Sequence, residues 1–422
     1  MLLLIGAFIV LLTIYLLIKQ YETRMVLFCS GLAMATIAGD PMAAFKAFSH
    51  AMHESKIFEP IIAVMGFAMV LKVTECDKHL VHLLARYLKK AGPFLIPGAV
   101  IITFLINISV VSASGCSAAV GAILIPSLMA SGVHPAIAGS AVLAGTYGAM
   151  LNPGFAPNIV VADVAKSTPM AVVANHAMPL VTVGIIGAIT LTVVAYLRNE
   201  NKGHVQNGDI VHASLQSFQV NLLKAFVPIL PLLILILGNM NLVAAFKQMA
   251  ISHAMIIGVF AAFLVTRMNP GRIVKEFWHG VGEGFGHIFA IIICSLVFVS
   301  GLNAIGVIQT AINLMISNTE IAKLSATFGP FLLAIMCGSG DAAQVAFNKA
   351  VTVHAAQFGI NGMDMGSMAA IGGALGRTMS PISGAAIICA TFAGVNPFEI
   401  AKRNAPGMII ALITLMVLLM YK

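Results

Sequence analysis

The sequence predicts an all-α polytopic membrane protein, with about ten transmembrane helices plus two re-entrant hairpins in two inverted repeats. Three observations predict it. Hydrophobic residues make up 59% of the 422 and charged residues only 9%, against roughly 25% charged in a soluble domain. Many apolar runs approach the ~20 residues that a helix needs to cross a bilayer. Several of these runs are interrupted by clusters of glycine, serine and proline, and the interruptions recur about half the chain apart. The net charge of +8 is not gathered on an aromatic-interleaved face, which argues against nucleic acid as a partner. The six cysteines lie in or beside apolar runs without metal-ligand spacing and read as free thiols.

In chain order, 2–18 and 25–39 read as helices. The first lacks a basic flank and a small-residue cleavage site, so it reads as a retained span. After Asp40-Pro41, the stretch 41–56 places Met42, Phe45, Phe48 and Met52 at helical spacing. Lys46, His50 and Glu54 fall elsewhere on its surface, which predicts a helix lying along the membrane. A helix at 57–76 and a basic loop (Lys78, Arg86, Lys89, Lys90) follow. Residues 93–131 form two apolar arms about Val111–Ser117. The second, about 119–130, is too short to cross, which predicts a re-entrant hairpin. Next come a run broken at Gly148–Asn158, a helix at 172–197 and a polar linker to 219. The second half repeats this order. It has helices at 224–238 and 251–266, an amphipathic stretch from Pro270, and a helix at 285–306 followed by a loop. A hairpin at 329–358, a broken helix at 364–394 and a last helix at 403–421 complete it.

The repeat is visible residue by residue. Lys46, Phe48, His50 and Glu54 match Lys275, Phe277, His279 and Glu283 at an offset of 229. Gly145, Gly148, Pro153 and Pro169 match Gly373, Gly376, Pro381 and Pro397 at 228, and Ser114-Gly115 matches Ser339-Gly340 at 225. Three such matches in order argue for duplication. Five crossings per half invert the second copy and leave both termini on the outer, periplasmic side. The cytoplasmic face then holds Lys19, Arg24, Lys78, Arg86, Lys89, Lys90, Arg198, Lys202, Arg267, Arg272, Lys275, Lys402 and Arg403. Only Lys46, Lys56, Lys166, Lys247, Lys323 and Lys422 fall outside, as the positive-inside rule requires.

A helix ending within the membrane presents unpaired N–H groups and the positive end of its dipole, which suits a carboxylate. The tips Ser112, Ser114, Gly115, Cys116 and Ser117, and Gly338, Ser339, Gly340 and Asp341, are therefore candidates for a solute site. The bland alternative, small residues that only allow close helix packing, fits one tip better than two matched ones. Asn152-Pro153 and Thr378, Ser380-Pro381 and Ser383 stand at matching breaks, where freed carbonyls could hold Na⁺ and side chains could meet a substrate; a plain proline kink is the alternative. Arg377 and Asp341 are the charges expected deepest in the hydrophobic part. Arg377 could grip a carboxylate in two places, or instead pair with Asp341 or snorkel; Asp341 could carry a proton. Ser114, Asn152, Asp341 and Ser380 are the coupling-ion candidates, with H⁺ or Na⁺ as the ion and no other cofactor expected. His134, His176 and His354 read as interface residues, His50 and His279 as parts of polar helix faces, and Lys72 with Glu75 as a local ion pair. A serine hydrolase would need a histidine at the depth of Ser114 or Ser339, and none is expected there; a passive channel is a further alternative.

The runs GSGDA at 338–342, LGRTMSPISG at 375–384 and NPFEIAKR at 396–403 resemble the DcuC-type anaerobic four-carbon dicarboxylate carriers, a family of the ion transporter superfamily. GFAM at 66–69, SASG at 112–115 and APN at 156–158 agree more loosely. Asp341 departs from the pattern, which leads one to expect Asn. The resemblance implies a bacterial inner-membrane secondary carrier of succinate, fumarate and related acids, not an enzyme. It also implies a scaffold (1–91 and 199–325) that forms a homodimer and a transport domain (92–198 and 326–422) that moves as an elevator. Surface helices at 41–56 and 270–284 would couple the two. Carriers of another organic anion, an amino acid or Na⁺/H⁺ are the alternatives within the superfamily.

Overall fold

The computed structural model of the chain describes residues 2–19, 21–53, 55–88, 92–204, 218–247 and 249–421. Glu54, Lys89, Lys90, the linker stretch 205–217 and Lys422, all assigned places above, lie outside the described residues, as does the side chain of Lys56. Every regular element among the described residues is helical, and six helical stretches are long and apolar enough to cross a bilayer.

The first half runs α1 (Leu2–Ile18), α2 (Thr23–Ile37), α3 (Pro41–Ala51), α4 (Ser55–Thr74), α5 (Cys76–Leu88), α6 (Leu95–Ser109), α7 (Ala113–Ala130), α8 (Pro135–Ala144), α9 (Ala156–Val164) and α10 (Pro169–Leu197). The second runs α11 (Leu222–Phe226), α12 (Leu230–Asn239), α13 (Ile251–Thr266), α14 (Pro270–Gly284), α15 (Ala290–Ala304), α16 (Val307–Ser317), α17 (Thr319–Cys337), α18 (Gly340–Ala350), α19 (Gly362–Met379), α20 (Gly384–Ala393) and α21 (Pro397–Met420). Shifted by the sequence offset, α1 falls on α12, α2 on α13, α3 on α14, and so on to α10 on α21, with the short α11 just ahead of the match. Packing is reciprocal too: α2 lies on α15 and its counterpart α13 on α4, while α7 lies on α20 and α18 on α9.

Helix starts follow local chemistry. Asp40, Asn269 and Asn396 accept backbone N–H bonds at the starts of α3, α14 and α21, each followed by a proline that needs no donor there. Two expected loops are helices instead, at matching places. The basic stretch after 76 is α5, which buries Leu80 and Val81 under its charges, and the stretch after 306 is α16, which buries Ile308, Ile312 and Met315. In both, the apolar residues recur at three- and four-residue steps, so a helix buries them on one side. The expected helix at 224–238 is split into α11 and α12 near Pro228, which cannot donate to the ladder. No break separates the amphipathic α14 from α15; a π-helical turn at Phe285–Phe289 joins them. The second arm of the first hairpin begins at Ala113, not near 119, because Ser112 caps it, and its 18 residues are long enough to span.

Contacts at the two ends of α21 place the hairpins in opposite orientations. The end of α7 meets the start of α21 across Glu200. The Glu200 carbonyl accepts from the His134 N–H at 2.9 Å, and its carboxylate pairs with Arg403. The far end of α21 meets the base of the second hairpin, where Tyr421 bonds Glu320 at the start of α17. The 24-residue α21 is roughly 36 Å long, so the two hairpins are rooted on opposite faces. Their tips meet between them.

Two glycines 228 residues apart allow this packing. A Cβ on Gly148 would stand 2.1 Å from the Phe104 carbonyl oxygen, and one on Gly376 would stand 2.2 Å from that of Phe331. Both obstacles are backbone and cannot yield. Gly148→Ala and Gly376→Ala are therefore expected to cost several kcal/mol each, the range of overpacking at about 1–3 kcal/mol or beyond. Gly282→Ala, which has open space around it, should be harmless. Thermal unfolding of the purified variants checks this; equal stability of all three would refute it.

Candidate functional site

A cavity of about 330 Å³ opens where the tips meet. Hairpin one contributes Ser112 and Ser114, and hairpin two contributes Gly338, Ser339, Gly340 and Asp341. Arg377 enters from the last turn of α19, and Thr146, Tyr147 and Met150 from the first break. The facing wall comes from α4 (Ile61, Val64, Met65) and from Glu283, His287 and Ile288. His287 thus stands on the same cavity as Ser114 and Ser339, where no histidine was expected, because the π-helical turn after α14 carries it there.

Each tip is capped in the same way. Ser112 Oγ accepts from the Gly115 N–H at 3.1 Å, and Ser339 Oγ from the Ala342 N–H at 3.2 Å. Gly338 has φ +72°, a left-handed turn that lets the chain reverse before α18. The earlier N–H groups of α7 and α18 have no partner within their own helices. The tip of hairpin one sits over the second break: a Cβ on Gly384 would stand 3.0 Å from Ser114 Oγ.

Arg377 does not pair with Asp341. Its Nη2 donates to the Thr146 carbonyl at 2.9 Å and its Nη1 to Thr146 Oγ1 at 3.3 Å; Asp341 lines the same cavity, and no ion pair joins the two among the described residues. Held at one edge, the guanidinium keeps donors for an anion in the cavity. Thr146, which orients it, was not singled out from the sequence; an apolar flank offered no signal. Asn107 likewise carries no signal in an apolar run. Its Nδ2 donates to the Val110 carbonyl and its Oδ1 accepts from the Ala149 N–H, both at 2.8 Å, so one buried amide ties tip one to break one.

The other candidates stand behind the cavity. Asn152 donates from Nδ2 to the Ile108 carbonyl at 2.8 Å, and Ser380 donates to the Ile335 carbonyl at the same distance. This is one clamp made twice, joining each break to the first arm of its hairpin. Thr378 and Ser383 spend their hydroxyls on Ala374 and Ser380 carbonyls. Cys116 is fully buried beside Thr103, Gly115 lines a neighbouring cavity, and neither Pro153 nor Pro381 lines the site. Ser117 is also fully buried. His176 is buried, bridging Ser367 on α19 at 3.0 Å and the Met150 carbonyl at 2.9 Å. The pair expected for Lys72 is absent: Glu75 leaves the helix at φ +59° and bonds Lys78 at 2.6 Å.

A family model described as "C4-dicarboxylate anaerobic carrier" matches residues 1–422. An uncharacterized transporter of Haemophilus influenzae is 37% identical over 274 residues, 63% of this chain and 98% of that protein. The anaerobic C4-dicarboxylate transporter DcuC of Escherichia coli K12 is 24% identical over 370 residues, 85% of this chain and 79% of its own length. A probable transporter of the same name from Vibrio cholerae is 24% identical over 375 residues, 85% and 80% of the two chains.

Asn107→Leu would leave the half-buried Val110 carbonyl and the buried Ala149 N–H without partners. An unmet buried group costs about 1–3 kcal/mol and a half-buried one less, so the variant should lose roughly 1–4 kcal/mol in a denaturation measurement; unchanged stability would mean the clamp is idle.

Proposed function

The chain belongs to the C4-dicarboxylate anaerobic carrier family, and from that premise we propose that it is a secondary active transporter of C4-dicarboxylates such as succinate, fumarate or malate across a bacterial inner membrane. It is a membrane transporter and not an enzyme. The observation that carries the substrate reading is the convergence of Arg377 with the starts of α7 and α18 on one cavity. One carboxylate would lie against the free donors of Arg377. The other would lie between the two helix N-termini, where Ser114 and Ser339 add hydroxyls.

Movement would follow an elevator. The bonds that close the site run within and between 92–198 and 326–422: Asn107 to Ala149, Arg377 to Thr146, His176 to Ser367. The α4 and α14 side of the cavity supplies chiefly apolar side chains with Glu283 and His287. A domain closed on itself against a smooth wall can slide as a unit, with 1–91 and 199–325 as the fixed scaffold, which would dimerise. H⁺, Na⁺ or exchange for a counter-dicarboxylate would drive it, with Asp341 as the residue facing the bound dianion and able to take a proton, and Ser114 as the other candidate on the cavity. Asn152 and Ser380, whose side chains are engaged in the two clamps, could hold an ion only through freed carbonyls. The basic face would be cytoplasmic and both termini periplasmic. Asp341 opposite Arg377 also fits a zwitterion, so an amino acid is the second reading.

Uptake of labelled succinate into proteoliposomes, with and without each ion gradient, tests the substrate, and competition by amino acids separates the second reading. Arg377→Ala should lower uptake at least about 30-fold, since losing one partner of a buried charge contact costs 2–5 kcal/mol, while the protein remains folded. Uptake with unchanged apparent affinity would make Arg377 structural.

A further inference from the structure

A second cavity of about 570 Å³ adjoins the site and shares Met65, Val111, Ser112 and Glu283 with it. It runs along α7 past Ala122, between that helix and α4–α5. Its outer end lies by α5, toward the face where the base of hairpin one, Glu200 and Arg403 come together. Lys72, in the last turn of α4, lines it and is exposed. The carboxylate that helical spacing offers Lys72, Glu75, is held by Lys78, and no ion pair engages Lys72 among the described residues. Asp77, also on the wall, is 9% exposed, and burial pushes its carboxyl up from the ordinary range, which weakens its claim on a neighbouring cation. At the neck between the two cavities stands the opposite charge, Glu283.

We propose that this second cavity is the path by which the dianion moves between the site and the basic face, and that Lys72 is the cation that receives it there, ahead of Glu283 at the neck and Arg377 beyond. The assignment rests on the dicarboxylate reading above for its ligand and on the shared walls for its route. A mobile, hydrated ammonium at a vestibule mouth acts by raising the local concentration of an anion, so it sets apparent affinity from one side and is screened by salt.

The test uses succinate with the full-length protein in membrane vesicles of both orientations, the basic face identified by labelling of a Lys402→Cys marker. Lys72→Gln should raise the KM about fivefold on the basic face at low ionic strength, the worth of one close charge in water. The maximal rate should stay within about twofold, the effect should fade in high salt, and Lys72→Arg should restore it. Glu283→Gln should shift the KM in the opposite direction. An unchanged KM at low salt, or an equal rise on both faces, overturns the role of Lys72. The route is read separately. In a Cys29→Ser background, Ala122→Cys should react with a membrane-impermeant maleimide from the basic face, more slowly when succinate is present; labelling only from the opposite face overturns the path. If wild type moves no succinate, the dicarboxylate reading falls and the role of Lys72 in it, while the labelling still decides the path.

Discussion

Inside a bilayer, an interrupted helix has no water to answer its free carbonyls and amides, and each one left bare costs several kcal/mol. The four interruptions in this chain persist because side chains answer them. Asn107 serves Val110 and Ala149, Asn152 serves Ile108, Asn158 serves Met150 and Asn152, and Ser380 serves Ile335. Most of the buried polar chemistry around the site is consumed in this way. The groups that remain for a solute are the ones such clamping cannot reach: the first N–H groups of α7 and α18, and the outward donors of Arg377.

Duplication makes the arrangement possible. One hairpin with one clamped break would end in a single helix N-terminus facing α4 and α14. Two copies rooted on opposite faces bring two N-termini to the same depth, and the paired close approaches of Gly148 on Phe104 and Gly376 on Phe331 hold each broken helix against the first arm of its hairpin. The copies are not identical in charge. Arg377 and Asp341 both belong to the second, while the first supplies Thr146 to orient the arginine. The site is symmetric in backbone and asymmetric in chemistry.

Much of the fold was legible because its signals are local or repeated. Apolar runs, Asp40-Pro41 and Asn269-Pro270 caps, and the glycine and proline offsets give the elements and the repeat without any contact being known. The loops that are helices, α5 and α16, were hidden by their charge and by mixed composition, although the spacing of Leu80 with Leu84 and of Ile308 with Ile312 was present to be read. In the site, the tips and Arg377 were legible because hydroxyls and charge stand out against an apolar background. What was not legible is the division of labour among polar residues. Asn152 and Ser380 resemble ligands in sequence and act as clamps in space, while Asn107, Thr146 and His176 have no neighbouring motif and gain their roles from partners 26 to 231 residues away or more locally across a turn.

The central claim is that one dicarboxylate lies where the two tips converge on Arg377. A structure of the protein determined with succinate bound tests it most directly. The account predicts a single anion between the starts of α7 and α18, one carboxylate on Arg377 and the other within hydrogen-bond reach of Ser114 or Ser339. An anion bound elsewhere, with that cavity holding only water, would contradict it.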